Sequence, residues 1–393
     1  GLQCTIGWFV DDTKISHLKP AVTDEIIALL ESKFGKMTVT RGHEHMFLGM
    51  TINFHGDGTA SIRMPSYIQE AIDESGLHIT KQSPTPCASS LLTIDPVSPV
   101  LPTKRARTFH SIVAKLIYVG TRAWTDILLA LGFLCSRVSN PTEQDEKKLR
   151  RLLEYLSGTK DMPLRLGADS LSQFMTWVDA SFAVHDDMRS HTGGVISFGR
   201  GGLLCKSKKQ KINTKSSTEA ELIGASDYLP HTLYVKMFME AQGYPINKAL
   251  FYQDNESAIK MERNGKASCG QRSRHIDIRY FFIADHSKRQ DIDIVHCPTE
   301  DMLADFFTKP LQGSLFRKFR AVLLGHEHTN SLAYHALRTT PEERVGNEKS
   351  PRSPSPVPGP PTHVPGSPTP GLTSATSGSS GGSDTSDTRL PRY

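Results

Sequence analysis

Four carboxylates along one half of the chain have the types and spacing to do chemistry. They are Asp179 in Trp177-Val178-Asp179-Ala180-Ser181, Glu221 in Ser217-Thr218-Glu219-Ala220-Glu221, Asp254 in Gln253-Asp254-Asn255-Glu256-Ser257, and Asp305 in Ala304-Asp305-Phe306-Phe307-Thr308-Lys309. Each falls at the edge of an apolar strand or on a helix by pattern, and none has a Lys or Arg as its immediate neighbour. Acids gathered without partners repel one another, so a fold that gathers them usually has a divalent cation; on spacing alone, scattered surface charge is an equal reading. Oxygen ligands with no Cys/His set select Mg²⁺ or Mn²⁺ over zinc. Two such ions about 4 Å apart suit cleavage or transfer at a phosphodiester.

Three further constellations accompany them. In Phe9-Val10-Asp11-Asp12, a turn between apolar strands places at least one carboxylate at a strand tip, where it can help hold metal against a triphosphate. Bare Asp-Asp turns are common, so this pair is also compatible with an ordinary hairpin. The basic stretch Lys206, Lys208, Lys209, Lys211 and Lys215 could track a phosphate backbone or protect an edge strand. Arg274 and His275, in Arg272-Ser273-Arg274-His275-Ile276-Asp277, could meet a substrate phosphate or brace a loop. Ser216 and Ser217 read as helix punctuation, not nucleophiles.

The elements that must position these residues fall into three regions. From Gly1 to about Ala168, strand patterns flank Asp11-Asp12, and Val22, Ile26, Leu29, Leu30 and Phe34 mark one face of a helix. A strand over 47–52, a turn at His55-Gly56-Asp57-Gly58 and a helix opened by Pro65-Ser66 follow. After a Pro/Ser/Thr connector over 79–103 come a broken helix over 106–137 and a helix over 142–157. From 174 to 325 the pattern gives strands 174–182, 193–198 and 202–209, a helix 217–241 and a strand 249–253. A helix 255–263, a strand 291–296 and a helix 299–308 complete it. Three adjacent strands followed by alternating helix and strand predict a mixed α/β sheet. Residues 326–393 are rich in Pro, Ser, Gly and Thr and predict a disordered tail.

Within the helix 217–241, Leu222, Ala225 and Leu229 mark the buried stripe. Glu221 borders that stripe, whereas Glu219 lies farther round and is expected to be solvated. Asp179 should point opposite to Val178.

Length and composition set the bounds. The 393 residues suffice for two or three domains, and the formal net charge of +5 permits a nucleic-acid partner without requiring one. The six cysteines are scattered without zinc or redox spacing, which predicts reduced thiols in an intracellular chain. No apolar run approaches the ~18 residues that cross a membrane. The chain opens without Met, directly in a strand-like stretch, and so reads as a piece of something longer.

Taken together, the motifs resemble a known family. Trp177-Val178-Asp179-Ala180-Ser181, Ser207-Lys208-Lys209-Gln210, Ser216-Ser217-Thr218-Glu219-Ala220-Glu221, Asp254-Asn255, Arg274-His275-Ile276-Asp277-Ile278-Arg279-Tyr280 and Ala304-Asp305-Phe306-Phe307-Thr308-Lys309-Pro310-Leu311 resemble, in that order, the ribonuclease H domain of Ty1/copia-type retrotransposon Pol polyproteins. Phe9-Val10-Asp11-Asp12 resembles the same polyprotein's Tyr-Val-Asp-Asp motif, with Phe for Tyr, and Phe47-Leu48-Gly49-Met50 resembles its primer-grip hairpin.

The resemblance implies four parts: a partial reverse transcriptase palm (1–78), a connector with thumb or connection helices (79–168), a ribonuclease H-like α/β domain (169–325) and the tail (326–393). It implies Asp179, Glu221, Asp254 and Asp305 as catalytic ligands of two Mg²⁺ or Mn²⁺ ions, and so favours Glu221 over Glu219. It implies Asp11 and Asp12 as metal ligands of a polymerase site that lacks its other half, Lys208, Lys209, Arg274 and His275 as nucleic-acid contacts, and an RNA–DNA hybrid as substrate. Other Pol or Gag products would be partners, with no membrane, in the cytoplasm within a virus-like particle or in the nucleus.

Overall fold

The computed structural model describes residues 3–264 and 274–332, with the side chains of 264, 274–278, 280 and 281 outside the described residues. In chain order it runs β1 (Thr5–Phe9), β2 (Asp12–Ser16), α1 (Pro20–Phe34), β3 (Glu44–Phe47), β4 (Met50–Phe54), β5 (Ala60–Arg63) and α2 (Pro65–Glu74). Then come α3 (Thr103–Gly120), α4 (Leu128–Arg137), α5 (Glu143–Thr159), β6 (Leu164–Ala168), β7 (Gln173–Ser181), β8 (His191–Ser197), β9 (Gly199–Arg200) and β10 (Leu204–Lys209). The last are α6 (Ser217–Ala241), β11 (Lys248–Gln253), α7 (Glu256–Asn264), α8 (Arg274–Lys288), β12 (Asp293–His296) and α9 (Gly313–Leu323). Among the described residues no helix is long and apolar enough to cross a membrane.

The sheet that positions the four carboxylates has the order β10-β8-β7-β11-β12. Its first three strands are antiparallel and its last two join in parallel, the mixed sheet that the ribonuclease H resemblance implies. Strand β7 is central and buried on both faces, and its side chains alternate strictly. Phe174 and Val178 enter a core under α6 and α8, while Met175 and Trp177 enter the opposite core. That opposite core is filled by α3, α4 and α5, whose apolar residues recur at helical spacing. The same cluster takes in Met64 and Ile68 before the sheet and Phe316, Phe319 and Leu332 after it. One continuous core therefore joins the expected connector to the expected nuclease domain. A second sheet does the same, since β6 pairs with β5 on one side and with β9 on the other.

Several expectations change. The stretch 47–52 is not one strand: Leu48-Gly49 turns the chain between the end of β3 and the start of β4, a hairpin at the residues whose resemblance was to one. Leu48 and Gly49 both have positive φ, 53° and 71°, as a two-residue hairpin turn demands. A Cβ on Gly49 would lie 2.6 Å from the Tyr67 ring. Tyr118 stacks on Tyr67 at 5.4 Å and donates its hydroxyl to the Leu48 carbonyl at 2.7 Å, which pins the turn. The expected helix 299–308 is two 3₁₀ turns, Thr299–Asp301 and Leu303–Phe307, because Met302 leaves the helical region with ψ 88°. The expected strand 202–209 is β10, which starts two residues later at Leu204, and a further two-residue strand, β9, precedes it.

Residues 326–332, expected in a disordered tail, are packed: Thr329 donates to the Gly199 carbonyl at 3.0 Å and Leu332 is buried. The rest of the expected tail lies outside the described residues. Helix α1 has the expected apolar residues but buries none of them.

Candidate metal centre

Asp179, Glu221 and Asp254 each bring a carboxylate oxygen to one point, all within 4.8 Å of one another. Three elements make this meeting. Asp179 stands near the end of β7, opposite Gly193 of β8 and on the face away from Val178. Asp254 follows β11 directly, so the parallel β7–β11 pair delivers both acids to the same sheet edge.

Glu221 comes from the first turns of α6. The Ser216 hydroxyl caps that helix by accepting the Glu219 N–H at 3.2 Å, and the Glu219 carboxylate accepts the Lys215 N–H at 2.7 Å. Glu219 is thus committed to the helix start and is buried, not solvated as its position suggested. Two residues on, Glu221 turns toward the sheet. The close approach of α6 needs Gly224, where a Cβ would lie 3.2 Å from that of Ala180.

Asp305 joins from the 3₁₀ turn Leu303–Phe307, which lies against β8 because Gly193 leaves space: a Cβ there would come within 2.7 Å of Phe307 Cβ. It is outside the 4.8 Å group and is held instead by Lys309, whose Nζ lies 2.7 Å from Asp305 Oδ1 and 3.8 Å from Asp179 Oδ1. The acids have no basic neighbour in sequence, yet this ammonium four residues after Asp305 reaches two of them. Thr308 donates a short hydrogen bond to Asp179 Oδ2 and fixes that carboxylate.

The electrostatics follow from burial. Asp179, Asp305 and Glu221 are only 2%, 4% and 6% exposed. Burial, then the charges of Asp179 and Asp254, push the Glu221 carboxyl well above its usual range. Asp254 and Asp305 shift up too, by burial and then by Asp179, with Lys309 opposing. Glu221 Oε2 is buried with no hydrogen-bond partner. An orphaned carboxylate oxygen beside two more carboxylates fits a hard divalent cation, so the residues present suit Mg²⁺ or Mn²⁺.

One acid at this site escaped the sequence reading. Glu262 of α7 is wholly buried, both of its oxygens lack a hydrogen bond, and its charge is among those that raise Glu221. Burial drives its own pKa up to about 8, with the Gln253 amide facing it short of a well-formed hydrogen bond. The signal was its helical spacing from Ala258 and Ile259, which puts it on the buried face.

The other expected residues lie elsewhere. Asp11 and Asp12 sit on the β1–β2 hairpin and are exposed, and no acidic cluster forms around them among the described residues. Lys208 is exposed on β10, and Lys209 pairs with Asp187 at 2.7 Å. The side chains of Arg274 and His275 are outside the described residues.

No family model matches the chain. It is similar to the "Retrovirus-related Pol polyprotein from transposon TNT 1-94" of Nicotiana tabacum, 26% identical over 267 residues, covering 67% of this chain and 20% of that one. It is similar to the "Retrovirus-related Pol polyprotein from transposon RE1" of Arabidopsis thaliana, 28% identical over 318 residues, 79% of this chain and 21% of that one. The chain thus spans about one fifth of the length of these curated relatives. Among solved structures, a foamy viral protease-reverse transcriptase in complex with an RNA/DNA hybrid aligns over 79% of this chain and 37% of its own, at 15% identity and a TM-score of 0.46.

Proposed function

We propose, starting from a chain that is a relative of the Ty1/copia-type retrotransposon Pol polyproteins, that it carries a metal-dependent ribonuclease H activity that cleaves RNA paired with DNA. One observation carries the reading: Asp179, Glu221 and Asp254 converge within 4.8 Å at the edge of a mixed sheet, with a buried Glu221 oxygen unpartnered. Two Mg²⁺ or Mn²⁺ ions bound there would supply an activated water and charge stabilisation at the scissile phosphate. Asp179, Glu221 and Asp254 would hold them, with Asp305 beside them. Thr308 orients Asp179, and the cap of α6 aims Glu221. Lys309 keeps Asp305 in place and offsets part of the local negative charge. The hybrid would be read by its shape, phosphates and 2′-hydroxyls. The free cysteines among the described residues fit an intracellular chain that would work with other Pol or Gag products.

The test is hydrolysis of an end-labelled RNA–DNA hybrid with Mg²⁺. The expected result is cleavage by the parent chain and a loss of about 10²–10³-fold in Asp254→Asn. A parent chain no faster than Asp254→Asn would sink the reading. A second reading, an inert nucleic-acid-binding relic, draws on Lys309, whose ammonium already satisfies Asp305 and reaches Asp179. Hybrid binding without turnover would select it.

A further inference from the structure

On the face of the mixed sheet that the 3₁₀ turn Leu303–Phe307 covers, two buried histidines and a serine stand in one line. His191 opens β8, and His185 lies in the loop before it. His185 Nε2 is 2.9 Å from His191 Nδ1, and His191 Nε2 is 2.8 Å from Ser207 Oγ of β10. The Ser207 hydroxyl in turn donates to the Phe307 carbonyl at 2.7 Å. That carbonyl closes the turn that carries Asp305.

The sequence dictates this line. Alternation puts His191, Gly193 and Val195 on one face of β8, and their partners Lys209, Ser207 and Cys205 on the same face of β10. Val195 and Cys205 enter one core on that face. Ser207 is paired with Gly193, the residue whose missing Cβ lets the turn lie on β8. The glycine makes room for the turn, and the serine opposite takes hold of its last carbonyl. From the other side Ser181 of β7, paired with His191, donates to the Thr308 carbonyl at 3.3 Å. Helix α4 closes over the line at Gly132, where a Cβ would lie 3.4 Å from the Ser207 carbonyl oxygen and 3.9 Å from Ser207 Oγ.

The donors run in one direction. A carbonyl only accepts, so the Ser207 proton points to Phe307 and Ser207 Oγ accepts from His191 Nε2–H. His191 Nδ1 then accepts from His185 Nε2–H. Burial holds the His185 imidazole below its usual pKa and takes His191 down to about 3, so both rings are neutral at neutral pH. Each ring therefore supplies one donor and one acceptor, and the serine hydroxyl has a single orientation. The next residue after Phe307 is Thr308, whose short hydrogen bond fixes Asp179.

We propose that His185, His191 and Ser207 are positioning residues that latch the 3₁₀ turn to the sheet and so hold Asp305 and Thr308 against Asp179, tightening the grip of the carboxylates on a divalent cation. The proposal rests on the reading of those carboxylates as a metal centre. The three residues act through the turn, not on the ion.

The experiment reads Mg²⁺ affinity and the order of the turn separately. The Mg²⁺ Kd is taken from the rise of Tm with Mg²⁺ concentration. Amide hydrogen exchange is followed in EDTA at Thr308 and Lys309, both bonded to the Asp305 carbonyl. Ser207→Ala should weaken Mg²⁺ binding about 10-fold, as loss of a partner behind the metal ligands does, and should speed exchange at both amides. Ser207→Thr keeps the hydroxyl and should restore both. His191→Gln, whose amide N–H stands in for the ring Nε2–H, should lose less than His191→Leu, and His185→Phe, at the start of the line, should lose least. Tyr228→Phe deletes another hydroxyl-to-carbonyl bond to β10, at 2.8 Å to Leu204, and should lower Tm in EDTA without moving the Kd. An unchanged Kd in both Ser207→Ala and His191→Leu overturns the latch, because a purely structural serine would lower Tm alone. A parent chain that binds no Mg²⁺ removes the metal reading, and exchange then decides the latch. Faster exchange at Thr308 and Lys309 in Ser207→Ala than in Tyr228→Phe supports it, and equal exchange overturns it. If Ser207→Ala does not fold, His185→Phe decides by the same two readouts.

Discussion

The chain carries acids in two settings, and they behave differently. Asp11 and Asp12 stand on a two-stranded hairpin in open solvent, beside Trp8 and Phe9 at 57% and 58% exposure. Asp179, Glu221 and Asp254 stand on a five-stranded sheet with a core on each face. In the second setting burial raises the Glu221 and Asp254 carboxyls and leaves a Glu221 oxygen without a partner. Acid type and spacing alone do not make a cation site. A sheet that takes the acids out of water gives them reason to hold one, because water no longer screens their repulsion.

Four predictions would sharpen or break this contrast. Trp177→Ala, in the buried core, should cost about 3–5 kcal/mol in denaturant unfolding. Trp8→Ala should stay within about 0.5 kcal/mol, and equal costs would erase the difference between the regions.

Next in size is a pH effect. Burial pushes the Asp126 carboxyl of the core up to about 6, well above the usual carboxylate range, against the opposing Tyr155 hydrogen bond and Arg320 charge. The folded state holds this proton more tightly, so the contribution is present below about pH 4 and is lost as pH rises through 6. The linkage amounts to something on the order of 3 kcal/mol. Asp126→Asn should make the decline of melting midpoints between pH 4 and 7 shallower, the remainder belonging to Glu221, Asp254, Asp305 and Glu262, and a parallel decline in both proteins would refute it.

Metal comes third. At a Mg²⁺ concentration of a hundred times Kd the fold should gain about 2.7 kcal/mol, read as a rise in Tm. Asp254→Asn should abolish this rise and Asp11→Asn should keep it; the reverse pattern would assign the ion to the hairpin. The smallest effect concerns a cap. Thr142 and Asp145 form a capping box at the start of α5, so Thr142→Ala should cost about 1 kcal/mol. No change in stability would show that α5 is held by packing alone.

Much of the site was legible because it rests on short-range rules. The alternation of Phe174 to Val178 put Asp179 opposite Val178, and the stripe through Leu222 and Leu229 leaned toward Glu221, with the family resemblance deciding it over Glu219. What could not be read depends on contacts distant in sequence. Glu219 looked solvated because its hydrogen bond goes backward to Lys215, outside the helix. Lys309 looked remote from Asp179, which is a neighbour only through the packing of the 3₁₀ turn on β8. The hairpin at Leu48, which the resemblance implied, was hidden from the residue pattern because a leucine there takes a positive φ that leucine rarely adopts, held by tyrosines that come later in the chain. Nor could sequence show that the chain stays paired across position 168, where β6 joins β5 before it to β9 after it.

That shared core also decides how the molecule comes apart. Met64, Phe109, Leu152, Trp177, Phe316 and Leu332 belong to one buried cluster, so the helices before the mixed sheet and the sheet itself should open as a single cooperative unit. The β1–β2 hairpin and α1 bury little and stand at the low-stability end. A protease at native temperature should trim the chain from that end and stop near the β3–β4 hairpin. The smallest piece that keeps the carboxylates together then includes α2 through α5, not the ribonuclease H-like sheet alone.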